Sequence, residues 1–334
     1  MFYNILDCSI TRLLDFPFLP LCKKFRTFAP MSKFSVNILG CGSATPSNRH
    51  LPSAQVVDFR DTLYMVDCGE CAQLQMRRMR LRFSHLRHIF ISHLHGDHFL
   101  GLPGLLSTLS LHECSGQVHV YMFAEGIELM RRMMKMLVHE PTIEIVYHPV
   151  PPEGGTVFES DALTVEAFPL YHRVRCAGYI FREKPRPRPL RADMLEFFDV
   201  PVRERAAIKA GADFVTPDGR VIENARLTTD PGPSLSYAYC SDTAFDPRVA
   251  AAVEGVTTIY HEATYTDEFE ALAAPRGHST ARQAGKIAAA AGARKLILGH
   301  FSKKYHDESG HLREASEEFP NTVVANEGMK IDIE

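Results

Sequence analysis

No apolar run in this chain approaches the roughly 20 residues that a bilayer-spanning helix needs, because every such stretch is soon broken by charge, Gly or Pro. Neither a membrane span nor a membrane partner is expected. Clustered cysteine is missing too: the eight cysteines are scattered, and the one close couple, Cys68 and Cys71, has no second pair to complete a tetrahedral zinc set. Free thiols in a reducing cytoplasm are the expectation. Nor does one sign of charge dominate. With 37 Lys and Arg against 40 Asp and Glu, the net charge of -3 argues against a protein that grips nucleic acid with its whole surface. Residues 1–30 lack an h-region and a small-residue cleavage site, so no secretory signal is expected there. Met31 stands just before a β-type run, which suggests a dispensable extension over 1–30 and one folded domain over 31–334.

What is present suffices for a closed core, since 45% of the 334 residues are hydrophobic and 23% are charged. Apolar β-type runs fall at 35–39, 62–66, 88–91, 118–123, 142–147, 163–168, 235–239, 257–260 and 295–298. Helical patterns fall at 71–82, 99–111, 126–138 and 280–291. The alternation is mixed α/β without a strict βαβ repeat. Arg182 to Pro233 stands apart: it opens on Lys184-Pro185-Arg186-Pro187-Arg188-Pro189, passes through a short helical pattern and turns at Pro217 to Gly219. That composition favours an extended, solvent-exposed excursion. Basic residues gather near its start, with ten Lys or Arg against five Asp or Glu between Arg173 and Lys209. A second basic group, Arg77, Arg78, Arg80 and Arg82, lies on an expected helix; a solvated face is the plain alternative for both.

The run Ser92-His93-Leu94-His95-Gly96-Asp97-His98 follows an apolar β-type run directly. Three imidazoles and a carboxylate this close have no cheap structural use, because each would need its own buried partner, whereas neutral imidazole and carboxylate are the usual ligands of zinc. The same grammar, a β-type run and then a candidate ligand, recurs before His172, Asp242 and His300. In open α/β sheets the carboxyl ends of parallel strands share one edge, so these residues can converge on one crevice. Seven ligands result: His93, His95, Asp97, His98, His172, Asp242 and His300. One zinc uses three or four, so two ions are the natural count, with Asp242 suited to bridge them. Phosphodiester hydrolysis needs a hydroxide at neutral pH and positive charge beside the phosphoryl oxygens, and paired divalent ions supply both. It also needs a proton for the leaving oxygen. His278, in Gly277-His278-Ser279-Thr280, is placed for that at a helix start, and Glu262 is the candidate to orient it and raise its pKa. The other histidines, among them His50, His85, His88, His112, His119, His139, His148, His306 and His311, lack partners at ligand spacing and are expected to be packing or surface residues.

The His93-Leu94-His95-Gly96-Asp97-His98 run resembles the HxHxDH signature of the metallo-β-lactamase superfamily. Within it, the chain is similar to the ribonuclease Z family of tRNA 3′-end processing endonucleases from Phe34 to the C-terminus. The motifs that narrow it are Leu39-Gly40-Cys41-Gly42-Ser43-Ala44-Thr45-Pro46, Val66-Asp67-Cys68-Gly69-Glu70, His261-Glu262-Ala263-Thr264, His278-Ser279-Thr280 and His300-Phe301-Ser302. The resemblance implies a four-layer αββα sandwich with two Zn²⁺ per subunit between the sheets, Asp97 as proton acceptor and His278 as proton donor. It also implies a cytoplasmic homodimer acting on precursor tRNA, with the 182–233 excursion as a flexible arm that clamps the tRNA elbow. The family's glycine-proline arm motif is replaced here by Arg203 to Phe214, and Lys304 stands where an arginine is common. The same metal ligands would equally serve a hydrolase of small phosphodiesters.

Overall fold

In the computed structural model, residues 33–111, 116–138 and 141–334 are described. The expected extension at 1–30 lies outside them, as do His112 and His139. Six strands come first: β1 (Phe34–Gly40), β2 (Ala54–Phe59), β3 (Thr62–Cys68), β4 (Leu86–Phe90), β5 (Gln117–Met122) and β6 (Glu144–Pro149). Then follow β7 (Gly155–Glu159), β8 (Leu163–Leu170), β9 (Cys176–Glu183), a two-residue pair β10 (Phe214–Val215) and β11 (Val221–Ile222), β12 (Ser236–Cys240), β13 (Thr258–Glu262), β14 (Lys295–Gly299), β15 (Thr322–Val324) and β16 (Lys330–Asp332). They form two seven-stranded sheets, ordered β16-β1-β2-β3-β4-β5-β6 and β15-β14-β13-β12-β9-β8-β7.

Both faces of each sheet are covered, which is why strands such as β1, β2 and β12 are buried throughout their length instead of alternating. Between the sheets Phe90 packs edge-on against Phe181 at 5.5 Å, and the Tyr179 hydroxyl donates to Ile91 O at 2.7 Å. On the outer face of the first sheet, Leu102, Leu105, Leu109, Met76 and Met130 pack against Met65, Ile89 and Val120. The helices Ala281–Ala290 and Ser309–Glu318 cover the second sheet. This is the expected αββα order.

Strand direction positions the site. Strands β3, β4, β5 and β6 are mutually parallel, as are β12, β13, β14 and β15, so each group delivers its carboxyl ends to one edge. Strand β8 is antiparallel to β9, which is antiparallel to β12, so β8 also ends on that side.

The 182–233 excursion differs from a plain extended loop. Its proline run pairs with the returning chain, Thr229 N donating to Pro189 O at 2.9 Å and Arg191 N to Leu227 O at 2.8 Å. The tip holds short helices at Ala192–Phe197, Arg205–Lys209 and Asn224–Leu227 around its own core of Leu195, Phe198, Val200, Ile208, Phe214, Ile222 and Leu227. Too few residues separate the prolines from these helices for periodicity to reveal that core.

His88 proves to be a packing residue, stacked between Tyr64 and His119 at 5.2 and 5.0 Å. Burial, with the neighbouring His119 and His148, pushes it down to about 3. An unfolded histidine titrates near about 6.5, so the unfolded chain binds a proton between these values that the folded chain refuses. This component of stability is whole above about pH 6.5 and declines as pH falls toward 3. Urea melts between about pH 7 and pH 4 are expected to show a shallower loss of stability for His88→Phe than for the parent.

Candidate active site

The seven predicted ligands come from four strand ends, and the fold brings all of them together. His93, His95, Asp97 and His98 follow β4; His172 follows β8, Asp242 follows β12 and His300 follows β14. They divide into two sets. In the first, His95 Nδ1 lies 3.0 Å from His93 Nε2 and 3.2 Å from His172 Nε2, with Asp242 Oδ2 3.7 Å from His93 Nε2. In the second, His98 Nε2 lies 3.2 Å from His300 Nε2 and 3.5 Å from Asp97 Oδ2. Asp242 Oδ1 is 3.1 Å from His300 Nε2 and 3.3 Å from His98 Nε2. One carboxylate therefore faces both sets, one oxygen each.

This donor set fits metal ions. Nitrogens and carboxylate oxygens from separate strands point at two common centres, and buried Asp242 Oδ1 accepts no hydrogen bond from the described residues. A buried carboxylate oxygen that lies 3.1 and 3.3 Å from two imidazole nitrogens yet makes no hydrogen bond with them is suited to a shared cation. Burial holds His93, His95 and His172 below the usual imidazole range, which keeps them in the neutral form that can ligate.

The residues behind the ligands fix their rings. His98 Nδ1 is 2.7 Å from Asp67 Oδ2, and Asp67 also accepts from Ser92 N, the Ser92 hydroxyl and the Tyr239 hydroxyl at 2.7–2.8 Å. His172 Nδ1 donates to Gly277 O at 2.7 Å, and His300 Nδ1 lies 2.9 Å from Thr264 Oγ1. Such partners select the tautomer that leaves the other nitrogen free for a metal. Sequence reasoning assigned Asp67 no role, although it ends the β-type run of β3 in the same way as the ligands end theirs. Its partnership with His98 becomes visible only through the β3–β4 register.

His278 and Glu262 form the expected pair, with Nδ1 3.0 Å from Oε1. Glu262 is fully buried at the end of β13 and also accepts from Thr243 N, Ser279 N, Thr264 N and the Thr264 hydroxyl. Burial alone would drive His278 down, but the Glu262 carboxylate overrides it and carries the imidazole up to about 9. Thr280 caps the following helix in a capping box with Gln283, which anchors the segment. His95, Asp97, Asp242, His278 and His300 open into a cleft of about 520 Å³ that also exposes Arg173, Arg276, Lys303 and Lys304. Four cations at its walls suit a polyanion. Lys304 sits over the Phe269 ring at 4.8 Å.

A protein named Ribonuclease Z from Bacteroides fragilis is 46% identical over 304 residues, covering 91% of this chain and 100% of that protein. The chain belongs to the ribonuclease Z family. A second family member, from Parabacteroides distasonis, is 47% identical over the same length and coverage of both chains. Among solved structures, the human short-form tRNase Z matches with a TM-score of 0.66 and 25% identity, covering 90% of this chain and 99% of that one. A metallo-β-lactamase fold protein from Bacillus subtilis, at 18% identity and a TM-score of 0.63, covers 89% of this chain and 98% of its own and shares the fold. The profile of a family described as Anti-Pycsar protein Apyc1 matches residues 34–184. Membership of the ribonuclease Z family carries metal dependence with it, in keeping with the ligand sets. No helix among the described residues is long and apolar enough to cross a membrane.

His50, expected to be a packing or surface residue, is buried and also joins a polar cluster. Its ring lies 3.0 Å from both Glu327 and Glu308, which are distant in sequence, and 3.3 Å from Cys41 Sγ.

Proposed function

We propose that this ribonuclease Z is a zinc-dependent endoribonuclease that removes 3′ trailers from precursor tRNA, leaving a 3′-hydroxyl on the tRNA and a 5′-phosphate on the trailer. The observation that carries this is the meeting of two ligand sets at Asp242, beside the His278–Glu262 pair, inside a cation-lined cleft. Two zinc ions are assigned, one to His93, His95, His172 and Asp242, the other to Asp97, His98, His300 and Asp242.

Bound there, the ions would supply a hydroxide nucleophile at neutral pH and positive charge for the phosphoryl oxygens. The chain supplies the rest. Arg173, Arg276, Lys303 and Lys304 hold the backbone phosphates of the RNA end. Although burial opposes it, His300 and His98 keep the Asp97 carboxyl well below its usual range, so it stays ionised and can accept a hydrogen bond that orients the attacking water. Ala44 N donates to Asp97 Oδ2 at 2.6 Å and fixes its angle. His278, held by Glu262, gives its proton to the departing 3′ oxygen.

The folded excursion over 182–233 is assigned as the tRNA-binding arm. Its tip exposes Arg203, Lys209, Arg220 and Arg226 together with Phe197, which suits contact with phosphates and ribose by shape and charge. A cytoplasmic homodimer, in which one subunit's arm presents tRNA to the other's site, belongs to the same proposal. Light scattering of the purified chain checks the dimer.

Replacing residues 186–232 by a short Gly-Ser linker separates RNA positioning from chemistry. Precursor-tRNA cleavage is expected to fall about 10²-fold or more in kcat/KM, as when positioning contacts remote from the reacting atoms are lost. Hydrolysis of bis(p-nitrophenyl) phosphate is expected to persist. Retention of both activities would favour a hydrolase of small phosphodiesters.

A further inference from the structure

We propose that Cys41, His50 and Glu327 hold a further divalent ion of the zinc class, outside the active-site cleft. The three side chains come from the loop after β1, the approach to β2 and the turn between β15 and β16. Cys41 Sγ lies 3.3 Å from His50 Nδ1 and 3.5 Å from Glu327 Oε1, and His50 Nδ1 lies 3.0 Å from Glu327 Oε2. Those spacings match the 3.0 and 3.2 Å between the nitrogens of the first active-site set. Thiolate, imidazole and carboxylate are the donors that zinc selects.

Two further features favour an ion over a set of hydrogen bonds. First, His50 Nδ1 faces both the thiol and the carboxylate, and one ring nitrogen has one proton or one lone pair to offer; a cation at the shared centre serves all three atoms. Second, His50 Nε2 lies 3.0 Å from Glu308 Oε1, and Arg49 pairs with Glu308 in turn. A carboxylate behind a ligating imidazole is the arrangement that directs the opposite nitrogen to a metal. Loading releases the Cys41 thiol proton to solvent, and thiolate, carboxylate and dication then sum to zero charge, which suits a site where Cys41 and His50 are buried.

The ion would act as a staple. Cys41 O accepts from Phe301 N at 2.9 Å, and the Phe301 ring lies 5.6 Å from His50, so the site backs onto the segment that carries His300. The loop it anchors also delivers Ala44 N to Asp97.

Cobalt(II) substitution of the full-length protein tests this, because no cysteine belongs to the two active-site sets. Saturated wild-type protein is expected to bind three cobalt ions per chain and to show a thiolate-to-cobalt charge-transfer band. The band is expected to survive in Cys176→Ser, whose sulfur lies 3.6 Å from His93 Nδ1. In Cys41→Ser it is expected to vanish with the loss of one ion. Two ions and no band in wild type would overturn the proposal whatever the variants do, as would a band that persists in Cys41→Ser.

Discussion

Asp242→Ala is expected to lose precursor-tRNA cleavage by a factor on the order of 10⁴ or more while the chain still folds, because nucleophile and charge neutralisation go together. Among the described residues, Asp242 is the carboxylate that faces both sets, its two oxygens 3.1–3.8 Å from imidazole nitrogens of His93, His98, His172 and His300. Removing it takes a donor from each set at once and leaves His93 and His172 with no carboxylate partner among the described residues. Zinc measured per chain should fall below the wild-type value by at least one ion. Circular dichroism should stay native, since the two cores around the sheets do not depend on this side chain. Full cleavage with reduced zinc would show that the second ion is not part of the chemistry.

His278→Ala is expected to slow the chemical step by about 10²- to 10⁴-fold with zinc content unchanged, the range for loss of a general acid. His278 belongs to neither proposed ligand set, so its loss should spare metal binding. Glu262→Gln should fall in the same direction by less. It keeps the shape but removes the charge that holds the His278 imidazole up to about 9. The amide also cannot accept all five of the hydrogen bonds that the carboxylate now receives. Single-turnover rates at saturating RNA distinguish this from weakened binding. An unchanged single-turnover rate for His278→Ala would remove the residue from the mechanism.

The parts of this site that could be read in the sequence are those in which local order dictates placement. A candidate ligand that ends a β-type run sits at a strand tip, and parallel neighbours bring such tips to one edge; His93, Asp242 and His300 obey that rule, whereas His172 reaches the same edge because β8 lies two antiparallel steps from β12. The parts that could not be read depend on register or on distant contacts. Asp67 orients His98 across the β3–β4 pairing, and His50 meets Glu308 and Glu327 only after more than 250 residues of chain. Short edge strands such as β15 and β16 carry too few residues for a period to emerge. In the 182–233 segment the prolines marked a departure from the sandwich, but a core assembled from several short pieces leaves no repeating pattern.

The most direct test is one incubation of zinc-replete protein with a precursor tRNA bearing a 3′ trailer, reading cut position and end chemistry. A single cut after the discriminator base is expected, with a 3′-hydroxyl on the tRNA and a 5′-phosphate on the released trailer. An intact precursor, or products ending in a 2′,3′-cyclic phosphate, would contradict the proposed function.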